Sequence, residues 1–328
     1  LGGSEAEKRA RDWGVKLGKE LGFDKATIEE FTMPFWDRGH LHIALTSPYK
    51  QGLYGSALGG AAPSEKEINA AIVYFRDIHA LTAIEDGTLK GKVAFVDGEP
   101  MVKSQTGAGY GPSNQKRRIG WKHAERGGAS ALIIRSVGSD SHRFPHTGMM
   151  SKNGEKWAKI PVIAISNPDA DHLRRLHNLD KPLAISLHSG SNWKGEVTSG
   201  NVVLDIIGSE KPEEIVIISA HLDHEGVKNG KIYNGADDDG SGTVAILEIA
   251  EAFKQAYNEG KKPKRSILFL HVTGEEKGLL GSKYYTENPI FPLANTVTNL
   301  NIDMIGRVDD RHKGNPNYVY LIGADKLS

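Results

Sequence analysis

A histidine and an aspartate follow a short apolar segment of the chain. The segment, residues 215–220, is rich in β-branched side chains and is typical of a buried strand. His221 and Asp223 come directly after it, and because side chains alternate along a strand, both are expected on the same side. A histidine that binds a metal usually has its second ring nitrogen held by a carboxylate or a carbonyl group. The spacing therefore predicts a metal ligand at His221, supported by Asp223.

Further carboxylates follow at three other places in the chain. Residues 237–239 are three consecutive aspartates, which repel one another unless a cation lies among them. One of them could cap the helical pattern that follows, but capping does not need three. Glu275 and Glu276 follow another apolar segment, and Asp303 lies in a third strand pattern. One glutamate can bind a metal while its neighbour reaches a water molecule on that metal, so these residues predict metal-assisted hydrolysis.

The motifs HLDH, GADDDGSG, GEEKGLLGS and NIDMIGR, in this order, resemble the metal-binding motifs of the co-catalytic zinc exopeptidases. The resemblance implies two zinc ions and a cis peptide bond after the middle aspartate. It implies the following roles: His221 and Asp303 as ligands of the first zinc, Asp238 as the carboxylate that bridges both, Glu276 as a ligand of the second, Glu275 as the general base and Asp223 as a supporting carboxylate.

The resemblance extends to the N-terminal half of the chain. Residues 65–189 resemble the protease-associated domain that many of these enzymes carry as an insertion. Residues 34–39 and 145–148 resemble the plasma glutamate carboxypeptidase branch, also called carboxypeptidase Q, whereas GADDDGSG is closer to the aminopeptidase branch. The resemblance thus implies an exopeptidase, foremost an aminopeptidase. A dipeptidase or carboxypeptidase of the second branch, a non-catalytic peptidase-like module and a glutaminyl cyclase are the alternatives.

Alternating strand and helix patterns surround the motifs and predict an α/β fold with a mostly parallel sheet. The family resemblance implies a three-layer sandwich with an inserted β-rich domain. We assign residues 1–64 and 190–328 to the catalytic domain and residues 65–189 to the insertion, with the Gly- and Ala-rich residues 47–63 as a crossing between them. The family's final histidine ligand of the second zinc is not found. We therefore expect a C-terminally incomplete catalytic domain that binds one zinc ion well and a second weakly or not at all.

Composition narrows the possible partners and cofactors. The 328 residues include 41 Lys plus Arg and 41 Asp plus Glu, so no overall field favours nucleic acid. The local cluster at residues 116–118 is interpreted as a solvated helix face. There is no cysteine, which excludes disulfides and zinc-thiolate sites. No apolar run is long enough for a transmembrane segment, and no signal-like segment is seen. We expect peptide substrates, and the family resemblance implies a secreted or periplasmic location.

Overall fold

The computed structural model describes residues 2–102, 109–228, 230–306, 312, 314–315 and 317–323. In chain order, the first half contains α1 (Glu5–Glu20), β1 (Ala26–Asp37), β2 (Leu41–Ser47), β3 (Gln51–Gly52), β4 (Gly55–Ala57), β5 (Ile68–Phe75), α2 (Ile78–Thr82), β6 (Val93–Val96), α3 (Tyr110–Arg126), β7 (Ala131–Arg135) and β8 (Val162–Ile165). The second half contains α4 (Asn167–Asn178), β9 (Ala184–Ser189), β10 (Asn192–Ile206), β11 (Lys211–His221), β12 (Gly226–Lys228), β13 (Lys231–Tyr233), α5 (Gly240–Asn258), β14 (Arg265–Val272), α6 (Leu280–Glu287) and β15 (Thr296–Asn301). The predicted mixed α/β class is confirmed.

One compact unit, formed by residues 1–33, 196–227 and 232–328, contains a five-stranded sheet. The strand order is β1, β10, β14, β11, β15. β11 runs parallel to both β14 and β15, whereas β10 runs antiparallel to β14. In the register of these strands, His221 lies opposite Val272 and Ser219 lies opposite Asn301. The carboxyl ends of the three parallel strands therefore reach the same edge of the sheet.

Both faces of this sheet are buried, because the apolar side chains of its central strands alternate between two cores. Ile267 and Phe269 of β14 face one core, which contains Ile246 of α5. Leu268 and Leu270 face the other core, which contains Tyr285 of α6. Burial of both faces explains why β14 and β11 appear in the sequence as nearly continuous apolar runs. The strand ends that carry the polar motifs are thus held by a layer packed on both sides.

The other compact unit, formed by residues 34–195 and 228–231, contains an eight-stranded sheet. The strand order is β3, β2, β9, β5, β6, β7, β8, β4. β5, β6, β7 and β8 are parallel, and the outer pairs are antiparallel. Every residue of β6, β7 and β8 is buried, so these strands form the centre of the core.

The contacts divide the chain at different points from those predicted. Residues 34–64 lie in the unit with the eight-stranded sheet, whereas we assigned them to the catalytic domain. The domain boundaries after residues 64 and 189 stay a prediction. The interpretation of residues 47–63 as a crossing is wrong, since β3 and β4 pair within this sheet. Small side chains permit this burial: a Cβ on Gly59 would lie 2.2 Å from Met149 Sδ, and one on Gly60 2.3 Å from a ring carbon of Trp157.

The interpretation of residues 116–118 as a solvated helix face is also wrong for two of the three residues. Lys116 is 4% exposed and Arg117 is 8% exposed, whereas Arg118 is exposed. Arg117 donates hydrogen bonds to the carbonyl oxygen of Thr147 at 2.8 Å and to the hydroxyl of Tyr110 at 2.6 Å. Thr147 lies 30 positions further along the chain, so charge patterning alone could not indicate the burial. Within the described parts of the chain, no helix is both long and apolar enough to cross a membrane.

Candidate metal centre

His221 is the last residue of β11, and it is only 3% exposed. Its Nδ1 lies 2.8 Å from the carbonyl oxygen of Asp223, and its Nε2 lies 2.9 Å from Oδ1 of Asp238. The first contact keeps a proton on Nδ1, which leaves Nε2 as the nitrogen available to a metal. The predicted support by Asp223 thus comes from its backbone carbonyl group. Its carboxylate cannot fill that role because it faces another loop.

The Asp223 carboxylate instead contacts the segment after β14. Its Oδ1 accepts a hydrogen bond from the backbone N–H of Glu275 at 3.0 Å. Asp223 is 2% exposed, and burial raises the pKa of its carboxyl group. The hydrogen bond and the charge of His221 oppose that effect. Asp223 therefore joins the ends of two neighbouring strands, one bearing the histidine and one bearing the two glutamates.

Asp239 lies within the cluster, but both of its carboxylate oxygens are bound to the protein backbone. Oδ2 accepts from the N–H of His221 at 3.1 Å, and Oδ1 accepts from the N–H of Gly242 at 2.9 Å and of Met304 at 3.3 Å. Asp239 is thus the N-cap of α5. Its carboxylate connects the end of β11, the start of α5 and the segment after β15, so its role is to hold the three segments together.

Asp238 differs from Asp239 because its carboxylate points to the imidazole of His221 and is about half exposed, with a side-chain exposure of 47%. The peptide bond between Asp238 and Asp239 is cis, as the family resemblance implies. Ligand atoms of His221, Asp239 and Asp303 all lie within 4.8 Å of one another. The proximity of His221 and Asp303 agrees with the sequence analysis, but the third member of this geometric group is the capping Asp239. The oxygens of Asp239 already accept three backbone hydrogen bonds, whereas the half-exposed carboxylate of Asp238 contacts only the imidazole of His221 among the hydrogen bonds of the described residues.

The cluster contains more acidic than basic side chains, and burial and mutual repulsion shift their pKa values. Burial, together with the charges of Glu225, Asp238 and Glu275, raises the pKa of Glu276 to about 8. Burial also raises the pKa of Glu275 and of Asp303, and neighbouring carboxylates add to both effects. Burial alone would lower the pKa of His221, but its hydrogen bond to Asp238 and the charge of Glu275 outweigh it and raise the pKa to about 10.

These residues fit a divalent metal ion. One imidazole and several carboxylates supply only nitrogen and oxygen ligands, which zinc accepts readily. Burial is the main cause of the raised carboxylate pKa values of Glu276 and Asp303, and neighbouring carboxylates add to it, so a cation among these groups would stabilise their charged forms. Metal binding would also release the proton that the cluster holds on Nε2 of His221.

A buried polar network that the sequence analysis missed supports the segment after β14. The hydroxyls of Thr273 and Ser199 lie 2.8 Å apart, and Ser199 donates to a carboxylate oxygen of Glu7 at 3.3 Å. Glu7 is also paired with Arg11 at 2.5 Å. Asn201 accepts a hydrogen bond from the N–H of Thr273 at 3.2 Å. These residues come from three separate parts of the chain and form no motif, so only their spatial arrangement identifies them.

The fold and the site define a metal-binding α/β domain with its ligands at the carboxyl ends of parallel strands. Residues 201–316 match the sequence profile of Peptidase family M28, and this part of the chain is a Peptidase family M28 domain. The resemblance to the co-catalytic zinc exopeptidases is therefore confirmed.

Three known proteins illustrate the relationship. Carboxypeptidase Q of Xenopus laevis is 32% identical over 291 residues, which are 88% of this chain and 58% of that protein. The crystal structure of a Peptidase M28 precursor from Shewanella amazonensis SB2B has 40% identity and a TM-score of 0.78, covering 88% of this chain and 63% of the other. BSAP, a zinc aminopeptidase from Bacillus subtilis, shares the fold at 24% identity with a TM-score of 0.64. The match covers 93% of this chain and 65% of the BSAP chain. The chain thus spans less than two thirds of the length of each.

Proposed function

We propose that this chain carries the metal centre of a zinc-dependent exopeptidase, foremost an aminopeptidase, which cleaves peptide bonds by means of a metal-activated water. The observation that supports this proposal is the convergence of His221, Asp238, Asp303 and the glutamate pair at one sheet edge of an M28 domain. No such convergence is needed for folding, because the sheet is already packed on both faces.

In this proposal the side chains divide into ligands and a base. His221, Asp238 and Asp303 would hold one zinc ion, and Asp238 with Glu276 would contribute to a second. Bound zinc lowers the pKa of a coordinated water molecule and polarises the carbonyl group of the peptide bond. Asp239 stays outside the ligand set because it caps α5.

Glu275 would act as the general base. Its pKa is raised by burial, which brings the group closer to the range in which it both accepts and returns a proton near neutral pH. A carboxylate oxygen of Glu275 would take the proton of the attacking water and deliver it to the amine that leaves. The hydrogen bond from its backbone to Asp223 fixes where the loop after β14 begins.

The second candidate is a dipeptidase or carboxypeptidase of the plasma glutamate carboxypeptidase type. It is favoured by the match to carboxypeptidase Q of Xenopus laevis over 88% of the chain. The two candidates share the metal chemistry and differ in which end of the peptide is recognised. A non-catalytic module is the third possibility, and it requires that the cluster bind no metal.

The test uses the zinc-loaded protein that carries this chain, assayed on an amino-acid anilide, a free dipeptide and a peptide with a blocked amino end. Hydrolysis of the anilide but not of the blocked peptide supports an aminopeptidase, and cleavage of the blocked peptide from its carboxyl end supports the second candidate. Glu275→Gln should lower kcat by about 10²- to 10⁴-fold with zinc binding retained. Glu287→Gln, on the exposed end of α6, is the matched control. Full activity of Glu275→Gln would refute the assignment of the base.

We also propose that residues 65–189 form a protease-associated domain, and that the protein acts in the periplasm or outside the cell. The first proposal is supported by the separate compact unit that contains these residues. Limited proteolysis tests the boundary: cuts close to residues 64 and 189 agree with the proposal, and cuts close to 33 and 195 favour the larger unit. Fractionation of the producing cells tests the location.

A further inference from the structure

Asn201 is a fully buried residue of β10, next to the position at which β10 begins to pair with β14. Its side-chain amide bonds to both ends of one loop. Oδ1 accepts a hydrogen bond from the backbone N–H of Thr273 at 3.2 Å, and Nδ2 donates one to the carbonyl oxygen of Gly281 at 3.0 Å. The N–H of Gly281 donates to the carbonyl oxygen of Thr273 at 2.8 Å. The amide thus bridges the two ends of the loop formed by residues 273–281.

This loop carries Glu275 and Glu276. Its own backbone bonds give it its shape, such as the one from the N–H of Leu279 to the carbonyl oxygen of Glu275 at 3.0 Å. The loop also contacts both neighbouring strands, through Asn201 on β10 and through Asp223 after β11, whose carboxylate accepts from the N–H of Glu275 at 3.0 Å. Because β14 lies between β10 and β11, the loop that follows β14 is held from both sides.

Gly281 leaves free the space that the amide of Asn201 occupies. It is the second residue of α6, although glycine is a poor helix former compared with alanine. A Cβ at this position would collide with Oδ1 of Asn201 and would lie 2.7 Å from the backbone nitrogen of Thr273. The close approach of the amide and the loop backbone therefore requires a glycine here.

An amide group suits this place because it donates and accepts at the same time. An ionised carboxylate only accepts, and an apolar side chain does neither. Thr273 is fully buried, so removal of the Asn201 side chain would take away the acceptor of an N–H group that water does not reach. The first residue of the loop would then move to find another partner, and the glutamates after it would move as well.

We propose that Asn201 is a positioning residue for peptide hydrolysis: its amide closes the loop of residues 273–281 and so holds the carboxylate of Glu275 within reach of the attacking water. This inference rests on the proposed exopeptidase function, in which Glu275 is the base. The three proposed ligands of the first zinc ion lie on other segments, so the loss of the amide leaves that ion in place. A displacement of about 1 Å in a reacting group can lower a rate about 10²-fold.

The first experiment measures steady-state kinetics and zinc content of the zinc-loaded whole protein, on whichever of the anilide, the dipeptide and the blocked peptide it hydrolyses. Asn201→Ala and Asn201→Asp should each lower kcat by about 10- to 100-fold. KM should stay within about three-fold, because the base acts after the substrate has bound. The aspartate keeps an acceptor for Thr273 but loses the donor to Gly281, so it should not restore kcat.

Val202→Ala is the matched control for this experiment. Val202 follows Asn201 on β10, is 1% exposed and packs against Gly14 of α1, so the substitution removes buried side-chain atoms but neither amide bond. Assayed well below its melting temperature, this variant should keep its kcat. Full kcat in either Asn201 variant, or an equal loss in Val202→Ala, would overturn the proposal.

Gly281→Ala gives a test in which the two explanations predict opposite signs. At an ordinary helix position this change raises the melting temperature and leaves activity unchanged. The added methyl group should instead press against the amide of Asn201 and the backbone of Thr273, and kcat should fall as it does in Asn201→Ala. A raised melting temperature together with full kcat would contradict the role of the amide.

A third measurement does not depend on activity. Amide hydrogen exchange of the metal-free protein, followed by mass spectrometry, compares a peptide that covers residues 273–281 with one from the centre of β14. In Asn201→Ala the loop peptide should exchange about 10-fold faster while the strand peptide is unchanged. Equal exchange in the variant and the unchanged protein would refute the positioning role. If the unchanged protein hydrolyses none of the substrates, the exopeptidase proposal fails, and exchange alone decides whether Asn201 holds the loop.

Discussion

Oδ1 of Asp223 accepts a hydrogen bond from the backbone N–H of Glu275, and the two atoms are 3.0 Å apart. This contact joins the segment after β11 to the segment after β14. The carbonyl oxygen of the same aspartate lies 2.8 Å from Nδ1 of His221. One buried residue thus positions both the proposed metal ligand and the proposed base.

Substitution of Asp223 should impair catalysis in two distinguishable steps. Asp223→Asn keeps an oxygen that can accept from Glu275 and should lower kcat/KM only slightly. Asp223→Ala removes that acceptor and should lower kcat/KM by about 10- to 100-fold, as changes to groups that orient metal ligands usually do. Steady-state kinetics with zinc analysis of each variant measures the difference. Equal losses for both variants would show that the charge, and not the acceptor, is what matters.

Asp238 and Asp239 should give opposite results although they are adjacent. Asp239→Ala removes the N-cap of α5 and its hydrogen bonds to His221 and Met304, so it should destabilise the metal-free protein by about 1–2 kcal/mol. Asp238→Ala should leave the metal-free stability nearly unchanged and should abolish tight zinc binding. Urea unfolding in a chelator, followed by zinc titration of the folded variants, separates the two roles. If Asp239→Ala loses zinc binding but keeps its metal-free stability, Asp239 and not Asp238 is the metal ligand.

Zinc should stabilise the folded protein through His221. A ligand that binds only the folded state, at a free concentration of 100 times its Kd, adds about 2.7 kcal/mol to the free energy of unfolding. Removal of zinc by a chelator should therefore lower the melting temperature by several degrees. His221→Asn should remove this zinc-dependent shift. His42→Asn, which changes an exposed histidine of β2, is the control and should retain it. A normal shift in His221→Asn would contradict the proposed centre.

His271 should make the metal-free protein sensitive to acid. It is 2% exposed, its Nε2 donates to the Thr243 carbonyl oxygen at 3.3 Å, and burial lowers its pKa from 6.5 to about 4. Protonation would place a charge on the buried Nδ1. The unfolded chain therefore binds more protons between these two values, and stability is lost as the pH falls from 6.5 towards 4.

The difference in stability between the unchanged protein and His271→Gln isolates this effect, because the acidic cluster is common to both. The difference should shrink by up to about 1.4 kcal/mol per pH unit below pH 6.5. Urea unfolding in a chelator at a series of pH values measures it. A difference that does not depend on pH would show that His271 titrates alike in the folded and the unfolded chain.

The places of the candidate ligands could be predicted from the sequence because they depend on strand ends. Parallel strands bring their carboxyl ends to one edge, so the residues after β11, β14 and β15 had to approach one another. The separate tasks of Asp238 and Asp239 could not be predicted in this way. They depend on which backbone N–H groups each carboxylate reaches, and that is set by the turn between β13 and α5.

The limits of domain prediction have a similar origin. Residues 34–64 contain many small side chains, and hydropathy gives little weight to Gly and Ala even where they are fully buried. Their burial arises from pairing with β8 and β9, which are more than 100 positions further along the chain. The burial of Lys116 likewise places its Nζ next to Gly98, which no local charge pattern indicates.

The register between β11 and β15 has a practical consequence for preparation of the protein. Asp303 follows His221 by 82 positions (303 minus 221), and the two approach only when Ser219 lies opposite Asn301. Chains in which β15 has not paired with β11 would not bring His221 and Asp303 together as metal ligands. The zinc content of a purified sample should therefore report the fraction of molecules that have completed the sheet, independently of any substrate.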